Sequence, residues 1–504
     1  MQEAGDRKPS ARNRKTTRSW LSPLLLCLVA FGLRLGPLWV NRFHPDEALY
    51  ASWALSIAYG RDTLLAQAAP DKPPVLFYLM AGAFFVLGRV EVAGRLVGLM
   101  AGTLSVPLMW RLAGGIRMPP YGKFAAATAM ALSPFAVLFS PTAFLDPLML
   151  VLALASLVAI TRKRPGWAGL WLGLAVATKV QALVFLPLAI AYGVLVVRPS
   201  SRATVLRRFA SGLAIPLLLV LLWDRLRGGT PYWIQQTINY GGIRLIYPGE
   251  IMPRLIGWSS YLPYLLGWPM LIALAIGLPL LLVYDLTHNA HTASAALDLM
   301  LMAFTLGYFF LHWLLAFPMW DRYTLGLLPV MCLFVGRLVG WAVGAARAAA
   351  WHRRPASRGS PLRNVGIAAL VIASMAPSAV QAWQSTLPIG GDHGTQDGVD
   401  QVTDYLREFP YGTVVHDHWL GWSLRYYLWD ARTYIAYFAT PQTLAEDLRV
   451  FGRTSQRFVI VPSSESTARI ERAIAAEGFA LAPVLTTQNR HGQPTFTLYH
   501  IQGR

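Results

Sequence analysis

Apolar runs recur along this chain at the length a bilayer demands, and that recurrence leaves few folds open to it. A helix needs about 20 apolar residues to cross the hydrocarbon core. Runs of that order lie near 20 to 40, 93 to 113, 122 to 140, 146 to 160, 209 to 223, 259 to 283, 298 to 316, 324 to 349 and 364 to 382. The stretch from Trp167 to Val197 is longer than one span needs and Lys179 interrupts it, so it reads as two short spans meeting at that lysine. Eleven transmembrane helices result, an all-α polytopic membrane protein. With 55% hydrophobic and 14% charged residues and a mean hydropathy of +0.43, the 504 residues carry more apolar side chain than a soluble core of that size hides. A soluble globular enzyme is excluded.

The formal charge is +19, from 44 Lys and Arg against 25 Asp and Glu. In a soluble protein this balance points to nucleic acid. Here the basic residues lie between apolar runs, where they orient a membrane protein, and no nucleic-acid partner is expected. Residues 1–19, with Arg7, Lys8, Arg12, Arg14, Lys15 and Arg18, read as a cytoplasmic basic tail before an uncleaved first span. Alternating the spans sets Arg111/Arg117/Lys123, Arg162/Lys163/Arg164, Arg198/Arg202/Arg207/Arg208 and Arg347/Arg353/Arg354/Arg358/Arg363 on that same side, as the positive-inside rule asks. The count requires Pro73 to Gly88, apolar but short and opening on Pro-Pro, to lie in the interface on the outer side. The expectation is an integral plasma-membrane protein with a transmembrane domain over 20–382 and an extracytoplasmic α/β domain over 383–504. In that last part strand-like runs (Thr413 to Trp419, Thr433 to Phe438, Arg457 to Pro462, Thr495 to Ile501) alternate with helical stretches. Cys27 and Cys332 sit in apolar runs, placed like neither a metal-ligand pair nor a staple.

The topology gathers acids on the outer side, and a few of them stand in chemically suggestive company. His44-Pro45-Asp46-Glu47 follows the first span; acids and an early proline suit a plain helix start. A second carboxylate, Asp146, returns to the same surface a hundred residues later, where it could equally cap the next span. Two acids at one depth can share a substrate or a cation. The chain has six lysines against 38 arginines, and only Lys72 and Lys179 face outward. Lys72, in Asp71-Lys72-Pro73-Pro74, suits a phosphate at a membrane surface, or simply snorkels to lipid head groups. Lys179 lies between apolar segments, where an ionisable group is expensive unless it pairs or faces a polar cavity. Arg322 could clamp a phosphate bidentately, with pairing to Asp321 slightly favoured. His416-Asp417-His418 places both histidines on one strand face, read as surface or packing residues for want of a third ligand. The aromatic loop Thr230 to Trp258, with Tyr240 among its rings, fits an interface belt or stacking on sugars.

These marks together resemble the membrane glycosyltransferases of the C-type fold that use polyprenyl-phosphate sugars. The nearest group is the protein O-mannosyltransferase-like one, which includes the bacterial transferases adding aminoarabinose to lipid A. The resemblance spans about residues 20 to 345. It rests on Asp46-Glu47, Lys72-Pro73-Pro74, Arg95-Leu96, Asp146 after Ser133-Pro134, Gly173 to Lys179, and Arg322-Tyr323 followed by Pro329. Family members often carry an arginine just before the second aspartate; here Ser140 to Leu145 has none. The resemblance implies a glycosyltransferase, hexosyl or pentosyl, taking a polyprenyl-phosphate sugar to a lipid, glycan or protein acceptor. Asp46 is then the catalytic base, Glu47 stands beside it, Asp146 is the second carboxylate, and Lys72 binds the donor phosphate. Lys179 and Arg322 join Lys72 as candidate phosphate ligands. Transfer without an intermediate nucleophile inverts the anomeric centre, and a divalent cation bridging Asp46 and Asp146 would share the lysine's work. The rival reading is a transporter or flippase of lipid-linked sugars, which should show charges along a path through the bilayer. An anchored scaffold ranks last, because eleven spans exceed what an anchor requires.

Overall fold

The computed structural model describes residues 21–196, 201–288, 292–351, 361–390 and 394–503. The basic tail, Arg198, Arg353, Arg354 and Arg358 lie outside them. Helix α1 (Leu21–Val40) leads into α2 (Pro45–Ala58) and α3 (Val75–Leu87). At 13 residues, α3 is too short to cross. It buries Leu76, Phe77, Met80 and Phe84 and leaves Leu79, Phe85 and Val86 exposed. Helix α4 (Glu91–Gly115) rises about 37 Å at 1.5 Å per residue, so Glu91 and Arg117 sit at opposite ends of the bundle.

The run expected as one span over 122 to 140 is instead two helices, α5 (Pro120–Leu132) and α6 (Pro134–Phe139). Pro134 has no N–H to give Met130, and it pushes Ser133 out of the helical region, to ψ 123°. Ser133 caps the new start through Ala136 N–H, and the guanidinium of Arg34 donates to the carbonyls of Met130 and Ala131 at 3.4 and 3.3 Å. Arg34 thereby satisfies the backbone that the proline frees.

Helices α7 (Leu145–Thr161) and α8 (Pro165–Val176) follow, then a 3-10 turn over Val180–Phe185, α9 (Leu186–Val196) and α10 (Arg202–Arg227). Helices α8 and α10 pack backbone to backbone across Gly169, Gly173 and Gly212, where a methyl would strike the opposing chain. After α11 (Tyr232–Tyr240), α12 (Ile251–Tyr261) and α13 (Pro263–Leu266) comes the long α14 (Trp268–His288). It starts later than the expected 259 because Pro263 and the left-handed Gly267 break the helix first. Helix α15 (Ala293–Leu314), a 3-10 segment over Asp321–Leu327, α16 (Leu328–Trp351) and α17 (Pro361–Trp383) complete the bundle. Among the described residues, six helices are long and apolar enough to cross a membrane, against the eleven spans expected; α7, α8 and α9 are apolar but shorter, as is the interfacial α3. The chain is an integral membrane protein.

Beyond α18 (Val399–Arg407) the chain alternates β1 (Val414–Asp417), α19 (Gly421–Tyr427), β2 (Tyr434–Tyr437), α20 (Pro441–Phe451) and β3 (Arg457–Pro462). It ends with α21 (Ala468–Ala475), β4 (Phe479–Gln488) and β5 (Pro494–Gly503). The sheet order is β2-β1-β3-β5-β4, the first three parallel and the last two joined as an antiparallel pair. Strand β4 escapes the sequence reading because Pro483 and its alanines hide the pattern; as an edge strand with two irregularities it tolerates them. The sheet region is tied to the bundle near α2. Phe43 N–H donates to the Tyr427 hydroxyl at 3.4 Å, Arg490 to Asn41 at 3.0 Å, and Gly390 N–H to Asp321 at 2.9 Å.

Candidate active site

The site begins at the capped start of α2. His44 Nδ1 accepts from Asp46 N–H at 3.1 Å, and the Glu47 carboxylate accepts from His44 N–H at 2.9 Å, with Pro45 at the first helical position. The reading as an ordinary helix start therefore describes Glu47 well. Its two oxygens also accept from Arg95 Nε and Nη2 at 3.0 Å each and from Ala143 N–H at 2.8 Å, and its side chain is 3% exposed. Burial pushes the Glu47 carboxyl up, but Arg95 and the two backbone N–H groups outweigh it and hold the group below the usual range. Glu47 thus pins the start of α2, α4 and the 140–144 turn together and leaves Asp46 as the acid that faces the cluster.

Three cation–carboxylate pairs meet there, drawn from distant parts of the chain. Arg322 Nη2 lies 2.8 Å from Asp46, Lys179 Nζ 2.6 Å from Asp146, and Lys72 Nζ 2.7 Å from Asp71. The sets interlock: Asp46 and Asp146 both act on the charge of Arg322, and Lys72 feels Asp46 and Arg322. Aromatic rings wall the cations, with Lys179 4.2 Å over Tyr323, Lys72 4.4 Å over Tyr240 and Arg322 4.3 Å over Phe144. Arg322 thus brings a guanidinium to the 140–145 turn, which has no arginine of its own. Burial pushes the Lys179 ammonium down to about 8, Asp146 opposing and Arg322 and Lys72 assisting. Burial likewise lowers Lys72 against the pull of Asp71.

Of the site residues named from the sequence, Asp46, Asp146, Lys72, Lys179 and Arg322 share this cluster, and Glu47 braces it from behind. The slightly favoured pairing of Arg322 with Asp321 does not form: the Asp321 carboxylate accepts from the backbone N–H groups of Arg322 and Gly390, which turns the guanidinium toward Asp46. Asp71 and Tyr240 were not singled out as site residues. Tyr240 donates no sequence signal beyond the aromatic loop, yet its hydroxyl accepts from Lys72 at 3.1 Å while Asn239 donates to Asp71 at 3.2 Å. His416 accepts from Arg457 Nη1 at 3.1 Å inside the sheet and His418 lies against the Phe438 carbonyl, a packing use of both. As for a divalent cation, Asp46 and Asp146 already hold Arg322 and Lys179, and no group of three or more His, Cys, Asp or Glu stands ready to ligate one among the described residues.

Glycine marks the turn that delivers Asp146. A methyl at Gly98 of α4 would run into the carbonyl oxygens of Thr142 and Ser140, so α4 presses directly on the 140–142 backbone.

No curated protein sequence matches the chain. Among solved structures, ArnT from Cupriavidus metallidurans bound to undecaprenyl phosphate aligns at 14% identity over 97% of this chain and 98% of its own, with a TM-score of 0.57; the apo state gives 0.61. The archaeal oligosaccharyltransferase AglB from Archaeoglobus fulgidus, in complex with an inhibitory peptide and a dolichol-phosphate, aligns at 11% identity and TM-score 0.53 over 95% of this chain and 74% of that one. The mycobacterial arabinofuranosyltransferase AftD gives 15% and 0.54, over 97% of this chain and 40% of AftD. The chain thus has the fold of the C-type membrane glycosyltransferases, and its residues 71–223 match the dolichyl-phosphate-mannose-protein mannosyltransferase family.

Proposed function

We propose that this protein transfers a hexose or pentose from a polyprenyl-phosphate donor to a hydroxyl or amine of a lipid, glycan or protein acceptor at the outer membrane face, inverting the anomeric carbon. The observation that carries the reading is the convergence of Asp46, Asp146, Lys72, Lys179 and Arg322 at one end of the bundle, beside the C-terminal sheet region. That ArnT binds undecaprenyl phosphate and AglB dolichol-phosphate supports a lipid phosphate as the leaving group.

In this reading the acceptor oxygen or nitrogen attacks C1 of the sugar as the bond from C1 to the phosphate oxygen breaks. The electron pair leaves on the phosphate, and the acceptor proton passes to Asp46. With 33% of its side chain exposed against 2% for Asp146, Asp46 is the carboxylate an acceptor can reach. Lys72, Lys179 and Arg322 meet the charge that builds on the phosphate, each already positioned by a carboxylate and a ring, so little reorganisation is needed. Asp146 holds Lys179 rather than touching the acceptor. The test is Asp46→Asn, which removes the base while keeping shape: transfer should fall by about 10²- to 10⁴-fold with folding and insertion intact. Retained turnover sinks the assignment, and sugar-lipid flux across liposomes without new glycosidic bonds would establish the flippase instead.

A further inference from the structure

A second polar group adjoins the Lys179–Asp146 pair and takes no part in the chemistry above. Gln181, two residues past Lys179, donates through Nε2 to the Tyr308 hydroxyl at 3.1 Å and meets His312 Nε2 at 2.8 Å. His312 Nδ1 is 2.9 Å from the Tyr308 carbonyl, which can only accept, so Nδ1 carries the hydrogen and Nε2 accepts from the glutamine. The Tyr308 hydroxyl in turn donates to the carbonyl of Tyr323, the residue whose ring covers Lys179. Every N–H and O–H of this chain of bonds is thus engaged, and one acceptor is left over. Gln181 Oε1 is shielded from solvent and has no hydrogen-bond partner among the described residues. The same holds for the indole N–H of Trp258, 1% exposed, whose ring stands 5.3 Å from that of His312. Native proteins rarely leave such atoms unpaired, and those they do leave call for a partner.

A sugar carries hydroxyls that both donate and accept, which is what an orphaned amide oxygen and an orphaned indole N–H, each on a side chain against His312, require. We infer that Gln181 and Trp258, oriented by His312, form the subsite that reads hydroxyls of the donor sugar, next to the cations that hold its phosphate. One hydroxyl donates to Gln181 Oε1 and another accepts from Trp258 Nε1. The inference rests on the transfer reading and assigns its specificity: a site built to bond a hydroxyl discriminates far more sharply than an apolar one.

The experiment compares binding of undecaprenyl phosphate, bare and carrying mannose, glucose or arabinose, to the full-length protein and to Gln181→Leu, Gln181→Glu and Trp258→Phe. In the unmodified protein at least one sugar should tighten binding by about tenfold or more over the bare lipid. Gln181→Leu and Trp258→Phe should each remove that gain while leaving bare-lipid affinity unchanged, and Gln181→Glu, which keeps the acceptor, should retain part of it. Should Gln181→Leu fail to fold, Trp258→Phe, which deletes only the N–H donor, decides. If no sugar alters binding, or both variants keep the unmodified ratio of sugar-bearing to bare lipid, the orphaned atoms hold only water and the inference falls. Sugar-dependent binding lost in the variants, with no transfer by the unmodified protein to any acceptor, would overturn the enzymatic reading and leave this subsite standing.

Discussion

Two adjacent carboxylates, Asp46 and Glu47, should respond in opposite ways to the same isosteric change. In Glu47→Gln one carboxylate oxygen becomes an NH2, and each oxygen of Glu47 now receives two donors, Arg95 Nε with Ala143 N–H on one side and Arg95 Nη2 with His44 N–H on the other. Whichever way the amide turns, two donors face a third. Arg95, 1% exposed, would keep its charge with only Glu91 at 3.7 Å and nearby carbonyls to hold it. Removing one partner of a buried pair costs about 3–5 kcal/mol. Glu91 offsets part of this, so about 3 kcal/mol is expected, a large share of the 5–15 kcal/mol typical of a folded protein. Asp46→Asn weakens a pair whose acid is 33% exposed and leaves the buried Arg322 with the pull of Asp146, so a smaller loss of about 1 kcal/mol is expected. Thermal unfolding of the detergent-purified protein, followed by fluorescence-detected gel filtration, should therefore show Glu47→Gln melting well below the unmodified protein and Asp46→Asn close to it. Transfer assayed well below the melting range should give the reverse order: Glu47→Gln within about tenfold of normal, Asp46→Asn down by about 10²-fold or more. A Glu47→Gln protein with an unchanged melting point and no transfer would refute the reasoning and make Glu47 a participant in the chemistry.

Lys179 gives a pH dependence: its ammonium, pushed to about 8, loses its proton as pH rises through that value, so kcat/KM should fall on the alkaline side. Lys179→Arg, charged throughout this range, should move that limb upward, and an unmoved limb would assign it to another group. Gly98→Ala forces the 140–142 backbone away from α4 and should lower transfer by about tenfold or more through displaced Asp146 and the Lys179 it holds, with the yield of folded protein in gel filtration unchanged. An equal loss of folded protein would mean general unfolding. Because Asp46 and Asp146 are already neutralised by protein cations, EDTA should change the rate by less than about twofold; a larger drop restored by Mg²⁺ or Mn²⁺ would place a metal among them.

Much of the site was legible because membranes make ionisable residues expensive. Lys179 stood out as a charge between apolar runs, and charge bias in the loops brought Asp46 and Asp146 to one surface before any contact was known. What escaped was pairing over long sequence distance. Arg322 has an acid for its neighbour, yet its guanidinium finds Asp46, 276 positions away. Glu47 reads as a catalytic acid beside Asp46, and nothing local announces its pairing with Arg95, 48 positions on. The Ser133-Pro134 break was spelled out in the sequence, but hydropathy averages across a break that a guanidinium repairs. Gln181, Tyr308 and His312 match no motif; only a complete tally of donors and acceptors exposes them.

The interdigitation of the site has a consequence for how the molecule is made. As a ribosome feeds the spans into the membrane in order, Asp46 emerges early and then waits for Arg322, most of the helical bundle later. Asp146 and Lys179 can find each other much sooner. A nascent copy halted before the 3-10 segment at Asp321 would own both carboxylates and two lysines, yet lack the arginine that links them. The charged cluster therefore closes only when the last helices of the bundle arrive, and it is among the last parts of the molecule to be complete.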